Sequence, residues 1–262
     1  MSRRARRARL GRVKDFDPAT SFGPDVAARY DDEPRGDEDA AAGFLAGLLP
    51  GDAPDGSPAG ALELAIGTGR VALPLAARGV RVDGIELSPD MVDVLRSRDG
   101  GADLRVVLGD MARETTGETY PLVFLVYNTI FNLLGQDEQV RCFENAARHL
   151  RPGGRFVVEA AVPSAWLPTD SYARPEQVET DAVTLDVCRY DPVTQHLVEN
   201  HVRIAADGVR FAPIVCRLAW PSELDLMARL AGLRLEARYG GWHRQPYTGR
   251  DQHVSVYVRG RS

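Results

Sequence analysis

The stretch of sequence that decides the fold is Ala61-Leu-Glu-Leu-Ala-Ile-Gly-Thr-Gly-Arg70. A short apolar strand runs into a turn with two glycines, and an apolar helical pattern follows in residues 71–79. Glycines at such a turn let the backbone approach a ligand closely. The next strand ends on Glu86, about 20 residues further on, where nucleotide-binding folds place the carboxylate that binds ribose. The order of strand, turn, helix, strand and acid predicts a nucleotide-binding unit.

The glycine turn alone leaves the nucleotide open. Ala72 stands where the dinucleotide motif G-x-G-x-x-G/A has its last small residue, so an NAD-dependent reductase is one interpretation. Together with the acid before it, however, the turn Glu63-Leu-Ala-Ile-Gly-Thr-Gly69 resembles the first motif of class I S-adenosylmethionine (SAM) methyltransferases. Ala65 replaces the first glycine that is usual in this family.

The resemblance continues through three more motifs, in the order that the family has them. These are Gly84-Ile-Glu-Leu-Ser-Pro-Asp-Met91, Gly109-Asp-Met111 and Arg151-Pro-Gly-Gly154, and the similar region covers residues 58–162. Four motifs in sequence favour SAM over NAD. The resemblance implies an α/β fold with a Rossmann-like, doubly wound, seven-stranded sheet, mostly parallel and closed by an antiparallel C-terminal hairpin.

SAM carries a sulfonium, an amino acid, a ribose and an adenine, so its site needs acids, backbone N–H groups and a flat apolar slot. By resemblance, the cofactor residues are Glu63 at the ammonium group, Gly67 and Gly69 at the turn, Glu86 at the ribose, Asp110 and Met111 at the adenine, and also Ala65, Arg70, Leu87 and Tyr127. Two of them keep a second interpretation. Arg70 binds a ligand carboxylate or lies solvated, and Asp110 binds adenine or merely forms the turn after Gly109.

The segment Val126-Tyr-Asn-Thr-Ile-Phe-Asn132 suggests where the molecule that accepts the methyl group binds, because it follows the predicted fourth strand. Open α/β sheets bind ligands at that end of their strands. The candidate substrate-binding residues are Asn128, Asn132, Tyr172, His201, Trp220 and Trp242, although core packing is the alternative for both tryptophans. His243 and Tyr127 are the candidate catalytic bases, which a phenol acceptor would use more than an amine would.

The chain divides into three parts along its length. Residues 1–24 are rich in arginine and are predicted to form a disordered basic arm, with a nucleic-acid-binding arm as the alternative. Residues 25–262 form one methyltransferase domain, because no linker interrupts them. Within it, segment 163–216 alternates at period two and predicts an inserted antiparallel β-meander of about three strands. In the resembled family such an insertion covers the acceptor pocket.

Net charge and cysteine content limit the kinds of binding partner and cellular compartment that the sequence favours. The net charge is -5 and the pI is about 5.6, which disfavours a nucleic-acid partner. Three widely spaced cysteines favour buried thiols in a reducing cytoplasm, with no metal site, and no apolar run reaches the ~18 residues of a membrane span. The sequence therefore predicts a cytoplasmic SAM-dependent methyltransferase of a small molecule, such as a specialised metabolite. The alternatives are a methyltransferase of RNA or protein, or a SAM-binding protein without turnover, and the sequence leaves both the methylated atom and the oligomeric state open.

Overall fold

The computed structural model describes residues 21–32, 36–50, 60–167 and 171–260. The predicted arm lies outside these ranges as far as residue 20. Its last residues, 21–24, are packed against the domain, because the Ser88 hydroxyl donates to the Phe22 carbonyl at 2.7 Å and the Phe22 ring meets Tyr30 edge-on. The boundary between arm and domain at residue 25 stays a prediction.

Helices and strands alternate through the first two thirds of the described chain. The described helices are α1 (Pro24–Ala27), α2 (Glu38–Ala46), α3 (Ala72–Ala76), α4 (Pro89–Arg96), α5 (Gln136–His149), α6 (Pro163–Trp166) and α7 (Pro221–Leu230). The described strands are β1 (Gly60–Leu64), β2 (Arg81–Glu86), β3 (Arg105–Leu108), β4 (Tyr120–Leu125), β5 (Leu150–Ala161), β6 (Tyr172–Val178), β7 (Ala182–Asp191), β8 (His196–Ala205), β9 (Gly208–Arg217), β10 (Leu233–Tyr239) and β11 (Gln252–Arg259). Short 3₁₀ turns occur at Gly101–Asp103 and Thr129–Asn132.

The main sheet has the predicted architecture. Within the described residues seven strands run in the order β10-β11-β5-β4-β1-β2-β3, and β1 to β5 are parallel. β11 is antiparallel to both β5 and β10, which confirms the C-terminal hairpin. The order of strands reverses between β1 and β4, and ligands bind in the crevice at such a switch point.

Both faces of this sheet are buried, as the continuous apolar run of β4 predicts. Val123 and Leu125 belong to one hydrophobic cluster, while Leu122 and Phe124 belong to a second cluster. Successive residues of a strand point to opposite faces, so the two clusters lie on the two sides of the sheet. This packing fixes the carboxyl ends of β1, β2, β4 and β5 relative to one another.

The inserted sheet differs from the prediction in one respect. Four antiparallel strands, β6 to β9, form it instead of about three. β6 was missed because its sequence, Tyr-Ala-Arg-Pro-Glu-Gln-Val, is polar, contains Pro175 and lies at an edge. A proline is tolerated there, and the pairing is irregular between Pro175 and Gln177.

Candidate active site

The carboxylate of Glu86 lies at the end of β2 and holds the glycine turn in place. One of its oxygens accepts from the Gly67 N–H at 2.8 Å, and the other accepts from the Ser88 N–H at 2.8 Å. Burial raises the pKa of Glu86, and these backbone bonds offset part of that rise. A carboxylate has about four acceptor sites, so each oxygen can also accept from one ribose hydroxyl.

Glu63 in β1 is the most deeply buried acid of the site, with 2% of its surface exposed. A backbone N–H at Ala72 bonds this carboxylate, but its Oε2 atom has no hydrogen-bond partner among the described residues. Burial raises the pKa of Glu63 well above its usual range, the charge of Arg70 lowers it in part, and the charge of Glu86 raises it further. A buried, unpartnered carboxylate oxygen is costly, and a bound cation would satisfy it.

Arg70 lies among acids and is not solvated. Its guanidinium bonds Asp37 at 2.8 Å, lies 3.5 Å from Glu38, and covers the ring of Tyr127 at 4.9 Å from the centroid. Burial lowers the pKa of Arg70, but the charges of Asp37, Glu159 and Glu63 outweigh this effect and leave the pKa raised. Acids outnumber the one arginine here, so the site has a net negative charge.

Both glycines of the turn have left-handed backbones, with φ values of 58° for Gly67 and 80° for Gly69. Gly67 donates its N–H to Glu86, and a Cβ at Gly69 would in addition lie 2.4 Å from Leu95 Cδ1. Gly69 is therefore favoured both by its backbone conformation and by the packing of α4 behind the turn. Ala65 also takes a left-handed conformation, with a φ of 54°. An alanine tolerates this at a cost of about 1–2 kcal/mol, where a glycine would have no such cost.

The predicted adenine residues follow β3. Asp110 Oδ1 accepts from the Ala112 N–H at 2.8 Å, and its Oδ2 accepts from Arg113, so it does form the turn. Met111 is buried beneath the same turn, and Leu87 leaves 44% of its surface exposed. An exposed leucine next to Glu86 offers an apolar surface of the kind that a planar base covers.

A cleft of about 280 Å³ lies beside these residues, at the carboxyl ends of β4 and β5. Its described lining consists of Asp37, Tyr127, Asn128, Glu159, Ala160, Ala161, Ala165, Asp251 and Gln252. Three of these nine side chains are carboxylates, and none is basic. Ala165 is the one described lining residue from segment 163–216, so the described walls come from the main sheet and the N-terminal segment. The prediction that this insertion covers the acceptor pocket stays a prediction.

The floor of the cleft is a strained pair of residues that Glu159 holds in place. Tyr127 and Asn128 both have left-handed backbones, with φ values of 55° and 62°. The Tyr127 N–H donates to Glu159 Oε2 at 2.9 Å, and Asn128 Oδ1 accepts from the Ala161 N–H at 2.5 Å. Consecutive left-handed residues are costly and persist only where surrounding bonds enforce them, which is common at functional sites.

Glu159 is a functional candidate that the sequence analysis did not identify. It is 4% exposed, and its Oε1 accepts from Trp242 Nε1 at 3.0 Å. Burial raises its pKa, and the charge of Asp37 adds to the rise. The sequence did contain a signal for it, because Glu159 is an acid within the apolar strand Arg155-Phe-Val-Val-Glu-Ala160. It lies near the carboxyl end of that parallel strand, where such sheets bind ligands. Asp37 and Asp251 offered no comparable signal, because both lie in polar stretches.

The remaining predicted residues are spread over the molecule. Trp242 is buried against Phe44 and holds Glu159, while the neighbouring His243 is exposed and lies outside the described lining of the cleft. Trp220 precedes α7 and is half-buried.

The others lie at or on the inserted sheet. The Tyr172 hydroxyl donates to Asp186 at 2.8 Å, His201 pairs with Glu176 at 2.8 Å, and Asn132 lies near Cys216. Their roles in substrate binding stay predictions.

The residues present fit SAM. Among the described residues nothing bonds the Oε2 atom of Glu63, and Gly67 has no side chain to block a ligand. The acids around Arg70 favour a ligand with two positive charges, the sulfonium and the ammonium. Glu63 and Glu86 would hold the amino-acid and ribose portions, and Leu87 would border the adenine.

Comparison with known proteins agrees with this geometry. A family model described as a methyltransferase domain matches residues 61–154. The solved structure of the CcbJ methyltransferase from Streptomyces caelestis is 38% identical, covers 94% of this chain and 100% of its own, and superposes with a TM-score of 0.84. The chain belongs to the class I SAM-dependent methyltransferases. It is an enzyme that uses SAM as a methyl donor.

Two further relatives are similar over most of their length. The cypemycin N-terminal methyltransferase of a Streptomyces species is 28% identical over 206 residues, which are 75% of this chain and 81% of that protein. CalS10, an amino pentose methyltransferase from Micromonospora echinaspora solved with SAM bound, is 26% identical, with 88% and 95% of the two chains covered and a TM-score of 0.64. Among the described residues, no helix is long and apolar enough to cross a membrane.

Proposed function

We propose that the enzyme N-methylates an amino group of a small-molecule acceptor that binds in the acidic cleft. The observation that carries this proposal is the described lining of the cleft, which includes the carboxylates Asp37, Glu159 and Asp251 and no basic residue, while Arg70 beside the cleft pairs with Asp37. Such a lining attracts an amine in its ammonium form and disfavours anionic acceptors.

Glu159 is the central residue of this proposal. Its raised pKa makes it a better proton acceptor than an ordinary glutamate, and its two bonds from Tyr127 and Trp242 fix its direction. It would bind the acceptor's ammonium group and take up a proton as the nitrogen becomes nucleophilic. Asp251 is exposed at the rim and would attract the amine from solvent.

The chain's contribution to catalysis is alignment and exclusion of water. Bound SAM supplies an electrophilic methyl group. The strained pair Tyr127 and Asn128 would place the acceptor nitrogen within about 3–3.5 Å of that methyl, the distance of a near-attack arrangement. Methyl transfer would leave a positive charge on the acceptor nitrogen, and the cleft carboxylates Asp37 and Asp251 would stabilise that charge until a proton leaves to solvent.

The names of the relatives support this class of acceptor. One is an N-terminal methyltransferase and another is an amino pentose methyltransferase, so both names point to amine-bearing substrates. Candidate acceptors are therefore amino sugars and free amino groups of small peptides.

A matched acceptor panel tests the proposal. The purified enzyme is incubated with methyl-labelled SAM and with pairs of sugars and amino-acid amides that differ only in an amine or a hydroxyl at one position. We expect mass spectrometry to find the label on the nitrogen of amine members, with little transfer to the hydroxyl partners. Transfer to hydroxyl or thiol members while the amines stay unmodified would refute N-methylation.

Cytoplasmic location and the lack of a nucleic-acid partner are part of the same proposal. Cys142, Cys188 and Cys216 are all free and buried, which suits a reducing compartment. The net charge of -5 gives a nucleic acid little attraction.

A further inference from the structure

Helix α5 carries two carboxamide side chains that are fully buried, Gln139 and Asn145. An amide has two N–H donors and one oxygen acceptor, and burying it is costly unless these groups are hydrogen-bonded. In both residues, described partners bond the nitrogen and the oxygen of the amide. These partners show which parts of the chain the helix holds in place.

Gln139 joins the floor of the cleft to the inserted sheet. Its Nε2 donates to the Ile130 carbonyl at 3.1 Å and to the Arg217 carbonyl at 2.9 Å, and its Oε1 accepts from Arg217 Nη1. Ile130 lies in the 3₁₀ turn that directly follows Tyr127 and Asn128, and Arg217 is the last residue of β9. This one amide therefore fixes the cleft floor relative to the inner end of the inserted sheet.

Arg217 is itself held firmly at that inner end. It is 5% exposed, and its guanidinium pairs with Glu223 of α7 at 2.7 Å and donates to Gln195 Oε1 at 2.7 Å. Gln195 lies in the turn between β7 and β8, so the cluster ties two points of the inserted sheet to the main domain. Gln139 is the link from this cluster to the cleft floor.

Asn145 makes the equivalent contacts on the cofactor side. Its Nδ2 donates to the Met111 carbonyl at 2.8 Å and to the Glu114 carbonyl at 2.9 Å, and its Oδ1 accepts from Arg148 at 3.1 Å. Met111 and Glu114 belong to the turn after β3, which is predicted to border the adenine. Six residues of helix separate the two amides by about 9 Å along the axis and about 120° around it, so they reach different loops.

We propose that Gln139 and Asn145 are positioning residues that act separately, Gln139 on the acceptor and Asn145 on SAM. Gln139 holds the floor on which the acceptor would lie, so this half rests on the proposed function. Asn145 holds the turn at the adenine, and this half needs only SAM as a ligand. Neither side chain belongs to the described lining of the cleft, so each acts through the backbone carbonyls that it bonds.

Two substitutions that keep the side-chain volume test this division, Gln139→Met and Asn145→Leu. Each leaves two buried carbonyls without their described donor, so both variants should melt below the wild type. Calorimetry measures the dissociation constant of SAM, and steady-state kinetics at saturating SAM use the member of the acceptor panel that takes up the most label. Asn145→Leu should weaken SAM binding at least tenfold and keep the acceptor KM within threefold. Gln139→Met should raise the acceptor KM at least tenfold and keep SAM binding within threefold.

Gln139→Glu and Asn145→Asp replace these variants if either fails to fold. Each keeps the oxygen that bonds its arginine but loses both donors, so the same division is expected. A folded variant that leaves its own constant unchanged, or that changes both constants by similar factors, would overturn the role given to that residue. Kinetics with a hydroxyl acceptor serve as well as kinetics with an amine, and the SAM measurement needs no acceptor. A failure of the proposed N-methylation would therefore be distinguishable from a failure of this proposal.

Discussion

Replacing Glu63 by glutamine should separate the stability of the fold from its affinity for SAM. The carboxylate is 2% exposed, and its Oε2 atom has no described partner. Glutamine keeps the shape and one acceptor oxygen but removes the buried charge. The glutamine amide leaves a polar atom in the same place, so the gain comes from removing the buried charge, which we take as about 1–3 kcal/mol. In a domain of this size that corresponds to a rise in melting temperature of about 2–12 °C.

The same substitution should weaken SAM binding. Glu63 would lose a charge-assisted contact to the ammonium group, about 1.5–3 kcal/mol, or roughly 10- to 100-fold in dissociation constant. Calorimetry of SAM with the wild type and with Glu63→Gln measures this loss. Glu118→Gln is the matched control, because Glu118 is an exposed acid that pairs with Arg81 and Arg105 and lies outside the site.

The stability gain should depend on pH. Since the folded-state pKa of Glu63 is raised, its protonated form stabilises the fold below the ordinary glutamate pKa, and this contribution is lost as pH rises through the raised value. The variant and the wild type should therefore melt together near pH 4 and diverge towards neutral pH. Equal melting temperatures at pH 7 with unchanged SAM affinity would refute the role given to Glu63.

Three further predictions concern the other candidate residues and the N-terminal arm. Glu86→Ala should weaken SAM binding by about 2–4 kcal/mol, measured by calorimetry, because it removes a bidentate acceptor for the ribose and the group that accepts from the Gly67 N–H. An unchanged affinity would show that the ribose binds elsewhere. His243→Ala should lower kcat by tenfold or less, because the side chain is exposed and lies outside the described lining of the cleft. A loss of about 10²–10⁴ in kcat would instead identify His243 as the general base. Deletion of residues 1–14 should leave turnover and melting temperature nearly unchanged, because the segment has few apolar residues. A large loss of activity on the true acceptor would show that the arm takes part in substrate binding.

The sequence predicted the main sheet well because local patterns specify it. Ser88 and Pro89 start α4 as expected, with the Ser88 hydroxyl accepting from the Met91 N–H at 3.3 Å. The continuous apolar run of β4 likewise indicated a strand buried on both faces. β6 could not be predicted in the same way, because a polar edge strand with a proline has no periodic signal.

The cofactor side of the site was also more predictable than the acceptor side. Glu63, Gly67 and Glu86 lie in or near the glycine turn, so a motif could propose them, and their roles in binding SAM stay predictions. Asp37 and Asp251 reach the cleft from opposite ends of the chain, and only tertiary packing brings them together. Trp242 shows the same limit, since its contact with Glu159 joins residues 83 positions apart.

The central claim is that an amine is methylated in the acidic cleft. Its most direct test is to measure the steady-state kinetics of the Glu159→Gln enzyme with an amine acceptor, together with the affinity of that variant for SAM. Glutamine removes the charge next to the acceptor and also one of the two oxygens that accept from Tyr127 and Trp242, but it leaves Glu63 and Glu86 untouched. We expect kcat/KM for the amine to fall about 100-fold, the cost of losing a charged hydrogen-bond partner, while the dissociation constant of SAM stays within threefold and the protein stays folded. Glu199→Gln on the inserted sheet is the control and should keep wild-type kinetics. A folded Glu159→Gln enzyme with unchanged kcat/KM would show that the acceptor binds outside this cleft.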